Sequence, residues 1–178
     1  MLEGRVDHVT TTNIAQRASI PVGSVYRYFE DRTHILDQLY RTAYTDVENS
    51  MIEAQAAIDK EWPINKTIQY LLRHFWLQAR AHPSFRVLTR WANQHYSMWD
   101  VMPGTSSNLT GMIKNALRTA GVNIDAEREP AATKTMVTAV SVLIDMLLEE
   151  DNEQTAAALM KELAVLLEAY IGTFSALR

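Results

Sequence analysis

Apolar residues recur at helical spacing through long, uninterrupted segments of this 178-residue chain. The clearest example is the stripe formed by Ile64, Ile68, Leu71, Leu72, Phe75 and Ala79. Only 6 Gly and 5 Pro interrupt the chain, and they fall mainly between the apolar runs. Because strands would need more frequent turn signals, the sequence predicts an all-α fold of about eight helices.

Turn and cap signals divide the chain into segments that we predict to be helical. These are residues 13–18, 22–29, 33–58, 64–81, 83–98, 108–120, 131–148 and 153–175. Gly121 is the expected C-cap of the segment 108–120, and Asn152 is the expected N-cap of the segment 153–175. The segment 131–148 is apolar on most sides, so we expect it to be buried between other helices.

Composition excludes several classes of protein. Without Cys, disulfides and thiolate metal sites are impossible. The net charge of −4 argues against a general polyanion binder, although a small DNA-docking surface remains compatible with it. The longest apolar stretch, 136–148, is too short to span a bilayer and contains Asp145. We therefore expect a soluble, cytoplasmic protein with no membrane partner.

The segment 10–36, "TTTNIAQRASIPVGSVYRYFEDRTHIL", is unusually polar and aromatic for this chain. It predicts two short helices joined by a tight turn at 19–21, with Val25 and Phe29 facing inward. Such a helix-turn-helix places its second helix in a DNA major groove. Small residues at the start of that helix would let the backbone approach base edges, and the following residues could reach phosphates or bases. The candidate DNA-binding residues are Thr11, Val22, Gly23, Ser24, Tyr26, Arg27, Tyr28 and Arg32.

This segment resembles the DNA-binding module of the TetR family of transcriptional regulators. The resemblance covers about 30 residues. It rests on Thr10, Thr11, Ile14, Ala15, Ser24, Val25, Tyr26, Tyr28 and Phe29. It implies a helix-turn-helix domain at 1–47 and a larger effector-binding and dimerisation domain at 48–178. The long helix 33–58 would link the two.

The sequence departs from the family pattern at three places. Ser19 stands where a turn glycine is usual, so we expect a mildly strained left-handed residue there. Arg32 replaces a lysine and keeps the charge. Only "MLEGRVDHV" precedes the Thr pair, which resembles the end of a truncated first helix. Residues 1–47 carry five arginines against six acids, a formal charge of −1, which is poor for DNA affinity.

Aromatic and Met residues in the middle of the chain predict an apolar effector pocket, since family members commonly bind an inducer there. The candidate ligand residues are Phe75, Trp76, Trp91, His95, Trp99, Asn108 and Met112. For each ring, core packing is the alternative interpretation. No Lys falls between Thr67 and Ile113, and the arginines there are expected to face solvent or pair with acids. The expected effector is therefore small, apolar, aromatic, and neutral or cationic.

The last two helices carry more apolar surface than one face can bury, which favours a four-helix interface in a homodimer. The candidate interface residues are Val140, Leu143, Leu147, Leu163, Leu167, Tyr170 and Phe174. An operator reader needs two recognition helices about one DNA turn apart, which supplies a reason for the dimer.

Function follows from these expectations. The five His are scattered without metal-ligand spacing, and no nucleophile–base motif appears. We therefore expect a protein that binds no metal or cofactor and is not an enzyme. The favoured interpretation is a TetR-like repressor of operator DNA that an apolar effector releases. The alternative is a helical dimer that binds a small molecule or partner but has lost DNA binding.

Overall fold

The computed structural model describes residues 6–96 and 105–175. Within these ranges it is all-helical, with a short 3-10 turn at Val6–His8 followed by eight α-helices and no strand. The helices are α1 (Thr11–Ala18), α2 (Val22–Val25), α3 (Arg32–Ala56), α4 (Ile64–Ala81), α5 (Phe85–His95), α6 (Thr105–Thr119), α7 (Glu129–Glu149) and α8 (Glu153–Ser175). The predicted fold class is confirmed.

Side-chain caps begin several helices. The hydroxyl of Thr10, one residue before the expected cap Thr11, accepts a hydrogen bond from the backbone N–H of Asn13. The Asp31 carboxylate accepts one from His34 N–H, and the Asn152 side chain accepts two at the start of α8. Gly121 has φ of 68° just after α6, a conformation that suits glycine. These short-range signals explain why the helix positions follow the sequence closely.

Two predicted helices are markedly shorter in the structure, and the other helix boundaries lie within three residues of the predicted ones. α2 ends at Val25, because residues 26–28 form a turn rather than continuing the helix to Phe29. α5 ends at His95, where Tyr96 is extended, and the predicted end near Met98 lies outside the described residues.

The core consists of two clusters of buried side chains. The first joins Ala15 and Val25 of the N-terminal helices to Leu36 of α3 and to Leu88 and Trp91 of α5. The second lies between α4, α6, α7 and α8. Because the first cluster runs across residue 47, packing is continuous at the domain boundary that the sequence suggests.

Helix α7 is less enclosed than its composition suggests. Met136, Val140, Leu147 and Leu148 are buried on one side, whereas Met146 on another side is 51% exposed. By length and composition alone, this is the one helix in the described part that could cross a membrane, and 33% of its most apolar stretch is buried. The expectation that α7 is buried between other helices is therefore met on one side only.

Candidate functional site

Helices α1 and α2 form the expected pair joined by a tight turn. Ser19 ends α1 with φ of 54°, the left-handed conformation predicted for it, and Ile20 N–H donates to the Ala15 carbonyl. Ala15 and Val25 are buried where the helices meet, and Phe29 packs partly against the same core. The local sequence therefore folds as a helix-turn-helix.

Most candidate DNA-binding side chains lie on the outer surface of this pair. Tyr28 is 75% exposed and Tyr26 is 56% exposed. Val22, Gly23 and Arg27 are also exposed, while Thr11 and Ser24 are half-buried. The Thr11 hydroxyl lies 3.3 Å from that of Tyr26, which ties α1 to the turn after α2. The pair thus presents one polar and aromatic outer face.

Arg32 has an internal role. Its Nε donates to the Val9 carbonyl and one terminal nitrogen donates to the Val6 carbonyl, each at 3.0 Å. The same nitrogen lies 3.8 Å from the Asp7 carboxylate. Arg32 therefore holds the 3-10 turn against the start of α3, so the structure does not support its expected use as a free phosphate contact.

A cavity of about 280 Å³ lies between α3, α4, α5, α6, α7 and α8. Most of its wall is aliphatic, with Ile64, Ile68, Leu71, Leu72, Leu109, Ile113, Leu117 and Met136 among the lining residues. The Gln55 side chain donates to the Met112 carbonyl at 2.6 Å and joins α3 to α6 at the wall. A compact apolar molecule fits such a space.

The cavity also has acidic and phenolic groups. Tyr44 and Glu48 of α3, Asn93 of α5 and Asp145 of α7 line it together. Burial raises the pKa of Asp145 to about 6, although a hydrogen bond from the Asn93 amide favours its charged form. Burial, then the charge of Glu48, raises the pKa of the Tyr44 hydroxyl. One part of an otherwise apolar wall is therefore negative.

Two buried hydroxyls on the wall have no hydrogen-bond partner within the described structure. Thr67 of α4 is 0% exposed and Thr89 of α5 is 3% exposed, and both line the cavity. Leaving a buried hydroxyl unpaired costs about 1–3 kcal/mol, and because neither oxygen is accessible from the cavity, this cost belongs to the packing behind the wall.

The predicted ligand residues divide into two groups. Phe75 and Met112 line the cavity, whereas Trp76, Trp91, His95 and Asn108 are not among its lining residues. Trp99 lies outside the described residues. The aromatic wall expected from the sequence is therefore replaced by a mainly aliphatic one.

Trp91 of α5 is buried in the first core cluster, whereas His95 on the same helix is exposed. Their rings stack with centroids 4.7 Å apart, and Trp91 meets Tyr96 edge to face. The Tyr96 hydroxyl donates to Asp37 of α3. The helical spacing of Trp91 and His95 correctly predicts that their rings are neighbours. It does not predict that both lie off the cavity wall.

Asp145 is the main cavity residue that the sequence prediction missed as a site. Its signal was visible as a single carboxylate within the apolar run "MVTAVSVLIDMLL". An ionisable group inside an apolar helix needs a compensating environment, so it marks a candidate site.

Most of the predicted dimer residues are inside the chain. Val140, Leu147, Leu163, Leu167 and Phe174 are buried, and Val140 and Leu167 line the cavity. Leu143 and Tyr170 are half-buried. The large apolar side chains that remain exposed on these two helices are Met146, Val165 and Leu166. Each of these two helices therefore turns its most apolar stripe toward its own core in the single chain.

Three arginines of α4 and α5 form ion pairs with acidic side chains, as expected from the sequence. Arg86 and Arg90 both contact Asp151, and they donate to backbone carbonyls at the end of α7. Arg80 pairs with Glu153. None of these three lines the cavity. Within the described ranges, no group of three or more His, Asp or Glu side chains is placed to hold a metal ion.

Comparison with known proteins identifies the larger part of the chain. A search of curated proteins found no match. A family model described as a tetracyclin repressor-like C-terminal domain matches residues 63–171, which include the cavity-lining parts of α4 to α8. Since this match covers more than half of an all-helical chain, the chain belongs to the TetR family of transcriptional regulators.

Proposed function

We propose that the chain is a cytoplasmic, homodimeric repressor that binds operator DNA and is released by a small apolar effector. The observation that carries this proposal is the position of α3. Its residues Tyr40, Tyr44, Val47 and Met51 line the cavity, while Leu36 packs in one core with Ala15 and Val25 of the helix-turn-helix. One helix thus touches both candidate sites.

The outer face of α2 and the following turn supports the DNA-binding part. A Cβ added at Gly23 would meet no atom within 4 Å, so internal packing does not require glycine there. Its small size would instead serve an external contact, such as close approach to base edges. Exposed Arg27 and Tyr28 would supply hydrogen bonds to bases or phosphates.

Coupling would follow from two states of different operator affinity. An effector that binds one state more tightly shifts the dimer toward that state. The shift in free energy between the two states cannot exceed the difference between the effector's binding free energies for them. Besides α3, α5 can transmit this shift, because Thr89 and Asn93 line the cavity while Tyr96 just beyond the helix bonds Asp37. Regulatory domains of this family are in general non-enzymatic, and we propose the same here.

The exposed apolar side chains of α7 and α8 support a homodimer. Met146, Val165 and Leu166 are each about half exposed in the single chain. Regulators of this family are soluble, so we interpret the surface as a subunit interface rather than a membrane-spanning face.

Selection from random DNA, followed by fluorescence anisotropy with the enriched sequence, tests the proposal. Arg27→Ala should weaken specific binding by about 1–3 kcal/mol. Arg118→Ala, which removes an exposed arginine of α6, is the charge-matched control and should change nothing. Any compound that calorimetry shows to bind the cavity should lower operator affinity.

A second candidate is a ligand-binding helical dimer without DNA binding. The formal charge of −1 over residues 1–47 favours it, as does the internal use of Arg32. Failure to enrich any sequence, with ligand binding intact, would support this candidate over the repressor.

A further inference from the structure

The charged residues that line the cavity indicate which chemical class of ligand it suits. Of the described residues that line the cavity, the only charged ones are Glu48 and Asp145, and both are acidic. They project from different helices, α3 and α7, into one space. Two carboxylates in an apolar wall repel an anionic ligand. A neutral ligand carries no positive charge to pair with them.

Phenolic and amide groups complete the polar part of the wall. Tyr40 and Tyr44 both interact electrostatically with Asp145, and Tyr44 also interacts with Glu48, so these four side chains lie near one another. Asn93 donates to Asp145 from α5, and Glu149 is the acidic neighbour on Asp145's own helix. No cation among the described lining residues neutralises Asp145.

Ring faces and carboxylates are both favourable surroundings for an ammonium group. The remaining wall is aliphatic, so the rest of the ligand should be an apolar body.

We propose that the effector is a compact apolar amine, held with its protonated nitrogen against Asp145 and Glu48 and its hydrocarbon part among the aliphatic residues of α4, α6 and α7. This inference rests on the proposed role of the cavity as the effector site. Asp145 is the principal counter-ion because Asn93 orients its carboxylate.

The pH dependence of binding provides a mechanistic signature. Burial raises the pKa of Asp145 to about 6, so the counter-ion is charged at pH 7.5 and largely protonated at pH 5. An alkylammonium, with an ordinary pKa of about 10.4 like lysine, stays protonated over this range. Amine affinity should therefore fall as the pH is lowered through 6.

Isothermal titration calorimetry with three isosteric probes tests the proposal on the full chain. The probes are 4-phenylbutylamine, 4-phenylbutan-1-ol and 4-phenylbutanoate, which differ in one terminal group. At pH 7.5 the amine should bind about tenfold to a hundredfold more tightly than the alcohol, as expected for a hydrogen-bonded charge pair. The carboxylate should bind most weakly.

Two variants locate the effect. Asp145→Asn should reduce the amine's advantage over the alcohol to less than about threefold while alcohol binding persists, which also shows that the cavity is folded. Glu48→Gln should reduce the advantage partly. Glu53→Gln, an exposed acid on the same helix and outside the cavity, is the control and should leave it unchanged.

The outcomes separate this inference from the proposed function. Equal binding of amine and alcohol, or an amine preference that survives Asp145→Asn, overturns the amine assignment but leaves the cavity as an effector site. Tightest binding of the carboxylate does the same. Failure of all three probes to bind overturns both the amine assignment and the cavity's proposed role.

Discussion

Replacing Asp145 by Asn should stabilise the ligand-free protein at neutral pH. The carboxylate of Asp145 sits in the cavity wall without a cation beside it among the described lining residues, so its charge is poorly solvated. Asparagine has nearly the same shape as the protonated carboxyl and carries no charge. The substitution therefore removes a destabilising charge without leaving a hole.

The magnitude follows from the pKa of this carboxyl in the two states. Its ordinary value is 3.8, and burial raises it to about 6 in the folded chain. At 1.36 kcal/mol per pKa unit, ionised Asp145 destabilises the folded state by about 3 kcal/mol. Asparagine should recover most of this, so we expect the variant to gain about 2–3 kcal/mol at pH 7.5.

The sign of the pH dependence is fixed by which state holds the proton more tightly. Because the folded pKa is the higher one, the folded chain binds the proton more tightly than the unfolded chain. The Asp145 contribution therefore lowers stability as pH rises from about 4 through 6. The advantage of the variant should be complete above about pH 7 and fall to about half at pH 5.

Urea unfolding of both proteins at pH 5 and pH 7.5 provides the assay. A single protein concentration must be used, because dimerisation makes apparent stability depend on concentration. Glu53→Gln should be neutral at both pH values, since Glu53 is exposed. A variant less stable than the wild type at pH 7.5, or an advantage that does not change with pH, would refute the reasoning.

Three further predictions concern the surfaces and the turn. Leu166→Glu should dissociate the dimer in sedimentation without unfolding the chain, whereas Leu163→Ala, in the core, should cost about 2–5 kcal/mol of stability. Arg32→Ala should lower the melting temperature and leave the salt dependence of DNA binding unchanged, because its bonds are to Val6 and Val9. Ser19→Gly should gain about 0.5–1 kcal/mol in urea unfolding by relieving the left-handed backbone; an equal or lower stability would contradict that reading.

The sequence alone determined the helical fold and most helix ends. Periodic apolar residues, the cap at Asn152 and the glycine after α6 act over a few positions, so they are readable without tertiary information. The helix-turn-helix was predictable for the same reason, since the left-handed Ser19 and the buried Val25 are local consequences of one short segment.

Only the tertiary structure decided which helix each apolar stripe would face. A period shows that Trp91 and His95 share a side of α5, but it does not show that Trp91 packs in the first core cluster rather than on the cavity wall. The buried position of Leu163 and the exposed position of Leu166 likewise depend on neighbours distant in the chain. The acidic part of the cavity arises the same way, because Glu48 and Asp145 are far apart in sequence and approach only when α3 and α7 pack around one space.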